Sequence, residues 1–265
     1  MKVKLAAIQM QSPMGKLKQN MDHAEAMIRD AASQGARIIV TPECCLPGYC
    51  SNDIQFVWHE PGRDMEGPQF ALDVNVVAKK VPGEETERFA SLANELDVHL
   101  MVGLIESGED GKFYNTSVLL NPPGEIALKY RKRHPWPMGE GTWATKGNLG
   151  VPVYETAYGK VACGICYDIQ FDVPAQAAKQ GVDLFLFPAA WTEESEEDAI
   201  EFFQTKLPQI ARENKMALIF ANRNVAKREW WRGSGRSSIY RRDGSIVACS
   251  SKEFEEDIVL AELDI

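Results

Sequence analysis

The first half of the chain alternates between two apolar rhythms. Val3 to Met10 is a nearly unbroken apolar run, the pattern of a strand buried on both faces. Leu17, Met21, Ala24, Ile28 and Ala31 then recur at spacings of four and three, which predicts an amphipathic helix that Gly35 terminates before a second apolar run, Arg37 to Thr41. Strand, helix, strand is the βαβ unit. Glu84 to Leu96, with Phe89, Leu92, Ala93 and Leu96 on one side, predicts the next helix, and His99 to Leu104 the strand after it. Residues 51 to 82 lack a clean period and carry Pro61-Gly62, Gly67-Pro68 and Pro82-Gly83. They read as a long surface excursion, a kind of segment that often carries function.

Tyr114 to Leu120 and Glu125 to Lys132 flank Asn121-Pro-Pro-Gly124 and predict a hairpin. Val151 to Thr156 and Lys160 to Cys166 predict a second, turning through Tyr158-Gly159. Beyond them come a short helix (Pro174 to Gln180), a strand (Leu184 to Phe187), a helix (Ala199 to Asn214) that Pro208 should kink or interrupt, and a strand (Ala217 to Ala221). The end is β-rich: Ser237 to Arg241, the turn Asp243-Gly244, Ile246 to Cys249, and Ile258 to Leu263. Helices early and late with hairpins between predict an α/β fold of two mixed sheets packed face to face with helices outside, a four-layer αββα sandwich. At 265 residues and 45% hydrophobic, one domain spanning 1–265 is expected.

Charge narrows the function classes. With 29 basic against 38 acidic residues the net charge is −9, and no stripe of Lys and Arg could track phosphates, so nucleic acid is not an expected partner. The apolar stretch at Met1 to Gln9 is too short for a signal peptide, and the longest apolar run, Leu184 to Trp191, is far short of a membrane span. A soluble, cytoplasmic protein with no membrane partner is expected. Six cysteines (Cys44, Cys45, Cys50, Cys163, Cys166, Cys249) in a chain with this much core do not read as a disulfide scaffold. Neither the Cys44, Cys45, Cys50 cluster nor Cys163-Gly-Ile-Cys166 has a partner motif for zinc, and no metal or cofactor is expected. His23, His59, His99 and His134 are scattered singly.

Three polar residues stand where hydrophobic runs stop: Glu43 after Arg37 to Pro42, Lys132 after Ile126 to Arg131, and Cys166 after Val161 to Ile165. Each alone reads equally as a solvated carboxylate, one more cation of a basic run, or a small buried filler. Together they form an active-site pattern, because strand ends on one side of a sheet are where α/β proteins build sites. A cysteine attacks as thiolate, so a base must take its proton. Glu43 can be that base. When the thiolate adds to a carbonyl or nitrile carbon, negative charge builds on the heteroatom, and the Lys132 ammonium with the backbone N–H of Tyr167 can stabilise it.

The motifs Thr41-Pro-Glu43 with Leu46-Pro-Gly-Tyr49, Lys129-Tyr-Arg-Lys132-Arg-His134 and Gly164-Ile-Cys166-Tyr-Asp168 resemble the nitrilase superfamily of carbon–nitrogen hydrolases. The likeness runs nearly end to end, through Ala6-Ala-Ile-Gln-Met10, Tyr114-Asn-Thr-Ser117, Pro188-Ala-Ala-Trp191, Ala211-Arg-Glu-Asn214, Ala221-Asn222 and Gly235-Arg-Ser237. It implies the four-layer αββα sandwich, protomers paired as a homodimer or higher homo-oligomer, and Glu43 as general base, Lys132 as oxyanion stabiliser and Cys166 as nucleophile. Glu140 falls where amidases of the superfamily carry a second glutamate that positions the substrate. Tyr49, Trp136, Tyr167 and Trp191 become pocket walls on this reading. The stretch from Lys129 to Trp136 and the triplet Cys-Tyr-Asp168 resemble the amidase branches, so hydrolysis of a small linear amide through a thioester is expected. The same three residues also serve N-carbamoyl and nitrile hydrolysis. Gln170 stands where many members have an arginine. Two rivals from other classes are a metal-dependent phosphoesterase, which requires Asp, Asn and His ligands, and a catalytically idle binding relative.

Overall fold

The computed structural model describes residues 1–49, 74–137, 139–191, 193, 195–224 and 235–265. Two mixed six-stranded sheets face each other. The first contains β1 (Lys2–Gln9), β2 (Ile38–Val40), β3 (His99–Ser107), β4 (Phe113–Leu120), β5 (Ile126–Arg131) and β12 (Asp257–Asp264), in the order β12-β1-β2-β3-β4-β5. The second contains β6 (Val153–Thr156), β7 (Gly159–Cys163), β8 (Leu184–Ala189), β9 (Ala217–Asn222), β10 (Ser238–Tyr240) and β11 (Ile246–Cys249), in the order β11-β10-β9-β8-β7-β6. In each, the three central strands run parallel and the flanking ones antiparallel. β5 lies two antiparallel steps from β3, so it points the same way as β2, and the ends of both strands emerge on one edge.

Among the described residues the helices are α1 (Leu17–Ser33), α2 (Val74–Val77), α3 (Glu84–Leu96), α4 (Val173–Lys179), α5 (Glu196–Glu201) and α6 (Leu207–Asn214), with two 3-10 turns and one π turn. Strand alternation sorts the core into layers. Val3, Leu5 and Ala7 of β1 and Ile38 and Val40 of β2 join the core shared with the second sheet, with Leu184, Leu186 and Ile219. Ala6, Ile8 and Ile39 face the other way, onto Ala24, Ile28 and Ala31 of α1 and Phe89, Leu92 and Ala93 of α3. Val173 and Ala177 of α4 and Leu207 and Ala211 of α6 close the far side of the second sheet. This is the four-layer αββα sandwich.

Local chemistry explains the helix limits. The Gly83 N–H donates to Thr86 Oγ1 at 2.9 Å, and Glu84, Glu85 and Glu87 occupy the first turn of α3, where the helix dipole favours carboxylates. Gly35, at φ +91, turns the chain out of α1. Pro208 interrupts the late helix, as expected: it has no N–H to give, and its ring crowds the carbonyl one turn back. The interruption takes the form of a π turn at Phe202–Lys206 between α5 and α6, and the Phe203 carbonyl accepts the Tyr240 hydroxyl at 3.0 Å.

Two expectations need correction. The strand predicted to run to Cys166 stops at Cys163, and Cys166 opens a 3-10 turn, Cys166–Gln170. β2, expected over Arg37 to Thr41, covers Ile38–Val40, so Glu43 lies in the turn that follows rather than at the strand's last residue. Of the 51 to 82 excursion, residues 51–73 lie outside the described residues, as does Cys50; the rest holds α2 and a bridge from Lys79 to Glu106. Cys45, Cys163, Cys166 and Cys249 are free thiols. No helix among the described residues is long and apolar enough to cross a membrane.

Candidate active site

Three strand ends deliver the site. After β2 the chain turns through Thr41-Pro-Glu43 and is tied to β3 by bonds from Thr41 N to Met101 O (3.1 Å) and from Leu46 N to Gly103 O (3.2 Å). Gly103 is what lets this turn lie flat on β3: a Cβ there would come within 2.7 Å of Cys44 N and 2.9 Å of Pro42 O. Lys132 follows β5 directly, its N–H on Asn115 O and its carbonyl accepting Gly147 N–H, both at 2.8 Å. After β7, Gly164 passes so close to Phe185 that a Cβ would meet the ring at 2.7 Å. Cys166 then adopts φ +46, a left-handed conformation costing a non-glycine residue on the order of 1–3 kcal/mol. Such strain at a buried thiol is the mark of a side chain held for a purpose.

The side chains converge. Lys132 Nζ lies 2.7 Å from Glu43 Oε1 and also contacts Glu140 Oε1, and all three side chains are completely buried. Asn115 Nδ2 donates to Glu43 Oε1 at 2.7 Å and reaches Glu140 Oε1 at 3.5 Å. The Ala190 N–H, just past β8, donates to Glu43 Oε2 at 2.8 Å and also faces the Cys166 sulfur. Glu140 is held from its other side by the Tyr49 hydroxyl and by Trp136 N–H at 3.2 Å. Gly139 leaves room for this: a Cβ would stand 2.6 Å from Tyr49 Oη and 2.8 Å from the Trp136 ring.

Electrostatics follow from burial. Burial pushes the Cys166 thiol well above its ordinary range, the Glu43 carboxylate adds to this, and the Lys132 ammonium pulls part of the way back. Burial thus works against the thiolate, and forming it calls for a base beside the sulfur. Burial opposes the charge on Lys132, but Glu43 and Cys166 outweigh it and the ammonium's pKa is raised. Burial, then the Glu43 charge, pushes Glu140 well up, even though Lys132 Nζ rests against it. Lys132 Nζ touches both glutamates, and burial with the Glu43 charge favours the uncharged form of Glu140 over its carboxylate.

Glu43, Lys132, Glu140 and Cys166 are thus brought together, with Tyr49 and the Trp136 backbone. The Tyr167 ring instead stands edge-on to Phe171, with centroids 5.3 Å apart. The Trp191 ring stacks on Phe202 at 4.0 Å, while its backbone N–H and carbonyl are both held by Asn222 at the end of β9. Gln170 is exposed. Sequence reading missed Asn115 and the Ala190 N–H. Asn115 carried a signal, an amide inside an apolar strand, whereas a backbone N–H carries none. Among the described residues no group of three or more His, Cys, Asp or Glu is arranged to hold a metal ion.

A buried thiol beside a carboxylate and an ammonium, in the turns that follow the strands of a four-layer sandwich, is an arrangement suited to a hydrolase with a cysteine nucleophile. The family model for carbon–nitrogen hydrolases matches residues 4–265, and the chain belongs to that family. It is 28% identical over 256 residues to the omega-amidase NIT2 of Xenopus tropicalis, covering 93% of this chain and 83% of the relative. It is 28% identical to the omega-amidase NIT2 of Homo sapiens over 270 residues, 99% of this chain and 88% of the relative. The crystal structure of an amidase from Nesterenkonia sp. superimposes with a TM-score of 0.79 at 20% identity, covering 99% of this chain and 90% of that one. The fold expectation and the family resemblance are both borne out, and the protein is an amide-hydrolysing enzyme.

Proposed function

We propose that Glu43, Lys132 and Cys166 hydrolyse a small linear primary amide, with Glu140 orienting it. Glu43 takes the thiol proton as sulfur bonds to the carbonyl carbon. The oxyanion is stabilised by Lys132 Nζ and by the backbone N–H of Tyr167, which lies in the opening turn of a 3-10 segment where N–H groups lack an intrahelical acceptor. Collapse breaks the C–N bond, Glu43 returns its proton to the departing ammonia, and a thioester remains. Water then attacks, giving its proton to Glu43, and the carboxylic acid leaves as the sulfur is reprotonated. Lys132 stays an ammonium throughout, which its ion pair with Glu43 favours. The uncharged form of Glu140 offers an O–H and a carbonyl oxygen, suited to an amide.

The observation that carries this reading is the single Lys132 side chain clamped between two buried glutamates, at a site that also holds the buried Cys166 thiol. The omega-amidase relatives favour a terminal carboxamide, and Tyr49, Trp136, Tyr167 and Trp191 are proposed as the walls around it. No step needs a metal or cofactor. The 1–265 chain acts as one domain on this reading, with the first sheet supplying Glu43 and Lys132 and the second Cys166. A cytoplasmic homodimer is proposed from the superfamily resemblance and from a cysteine pattern that does not read as a disulfide scaffold. The test is an ammonia-release screen over short aliphatic amides, ω-amides, ureido acids and nitriles. Turnover of unsubstituted or ω-amides above the other classes is expected; turnover of nitriles or ureido acids alone contradicts it.

A further inference from the structure

The Asp168 carboxylate is completely buried two residues beyond Cys166, and nothing in the proposed reaction uses it. Four donors surround it. Oδ2 accepts the Tyr130 hydroxyl at 2.7 Å and Ile165 N–H at 3.1 Å. Oδ1 accepts His134 N–H and His134 Nδ1–H, both at 2.8 Å. With both oxygens doubly occupied, the carboxylate has no lone pair to offer a substrate. Its partners come from opposite sheets. Ile165 precedes the nucleophile after β7, whereas Tyr130 lies on β5 and His134 two residues past Lys132. The His134 ring is fixed in turn, stacked on Phe171 with centroids 3.8 Å apart and planes within 6°.

We propose that Asp168 is a positioning residue that fastens the nucleophile's turn to the chain segment carrying Lys132, so that thiol and ammonium keep their separation although two different sheets deliver them. This rests on the reading of Cys166 and Lys132 given above. The need is physical: Cys166 is held in a left-handed conformation, and the two sheets touch here through side chains, with no backbone ladder between β5 and β7. A misplacement of about 1 Å between reacting groups costs roughly a hundredfold in rate. His134, Tyr130 and Phe171 act through Asp168 and touch no reacting atom.

Asp168→Asn tests this, because an amide keeps the shape but turns an NH2 toward Ile165 N–H or His134 N–H. In protein verified as folded by circular dichroism and thermal melting, with active sites titrated by an alkylating amide analogue, kcat is expected to fall about a hundredfold while KM moves less than about threefold. His134→Asn, which returns a donor to the Nδ1 position, is expected to keep kcat within about fivefold, whereas His134→Leu loses at least tenfold. A purely structural role would lower the folded fraction and leave kcat per titrated site unchanged. A folded Asp168→Asn with kcat within threefold of the parent overturns the proposal. Should that variant fail to fold, Tyr130→Phe and His134→Leu decide: wild-type kcat in both overturns it equally. Cys166→Ala is the control, since activity surviving there defeats the nucleophile reading itself, whereas an inactive Cys166→Ala beside an active Asp168→Asn defeats only the clamp.

Discussion

Lys132 is the residue on which two different consequences of burial meet. Substituting it with methionine looks, from its place at a strand end, like a rate defect only. The structure makes it a stability defect as well, because Glu43 would be left buried without the cation it pairs with. Removing one partner of a buried ion pair costs about 3–5 kcal/mol, so Lys132→Met should lower the urea midpoint markedly and reduce turnover by at least a hundredfold. A variant as stable as the parent contradicts the burial of the trio. Glu140 gives a pH-dependent counterpart. Its carboxyl is pushed up from an ordinary 4.5 by burial and by Glu43, so its contribution favours the fold below that value and is lost as pH rises above it. Glu140→Gln removes the penalty, and its stability relative to the parent, measured by urea unfolding, should grow as pH rises above 4.5, while amide turnover falls. A stability difference that is flat with pH, or that shrinks, would show the group is not shifted upward.

At the scale of elements, the turns after strands matter more than the strands. Gly103 on β3 receives the Glu43 turn, and the atoms a Cβ would meet are backbone, which cannot swing aside. Gly103→Ala should therefore destabilise by about 1–3 kcal/mol and reduce kcat by displacing Glu43, read from thermal melts and amide turnover together. Retention of both would mean the turn is not seated as described. These turns also mark the limit of what sequence periodicity reveals. α3 could be delimited to the residue because Gly83 and a run of glutamates announce its start and the apolar spacing ends at Leu96. β7 was overestimated by three residues because Gly164 and Ile165 are as apolar as the strand before them, and no pattern records the positive φ of Cys166. Glu43, Lys132 and Cys166 were legible because polar groups interrupt apolar runs. The bridge from Asp168 to His134 and Tyr130 was not, since a bond between residues 34 and 38 positions away depends on how the two sheets face each other.

For the whole molecule, the sandwich brings an acid and an ammonium from one sheet to a thiol from the other, and the paired sheets bury all three side chains. The chemistry needs only those groups and water, so dialysis against EDTA should leave amide turnover unchanged. Loss of activity that a divalent cation restores would contradict the mechanism. The central claim is that the thiol of Cys166 carries the acyl group, and mass spectrometry of the enzyme quenched during turnover of a short amide tests it most directly. The account predicts an adduct of acyl mass on the peptide containing Cys166, formed with release of ammonia and absent in an inactive Cys166→Ala. Steady turnover with no adduct, and with activity retained in Cys166→Ala, would contradict it.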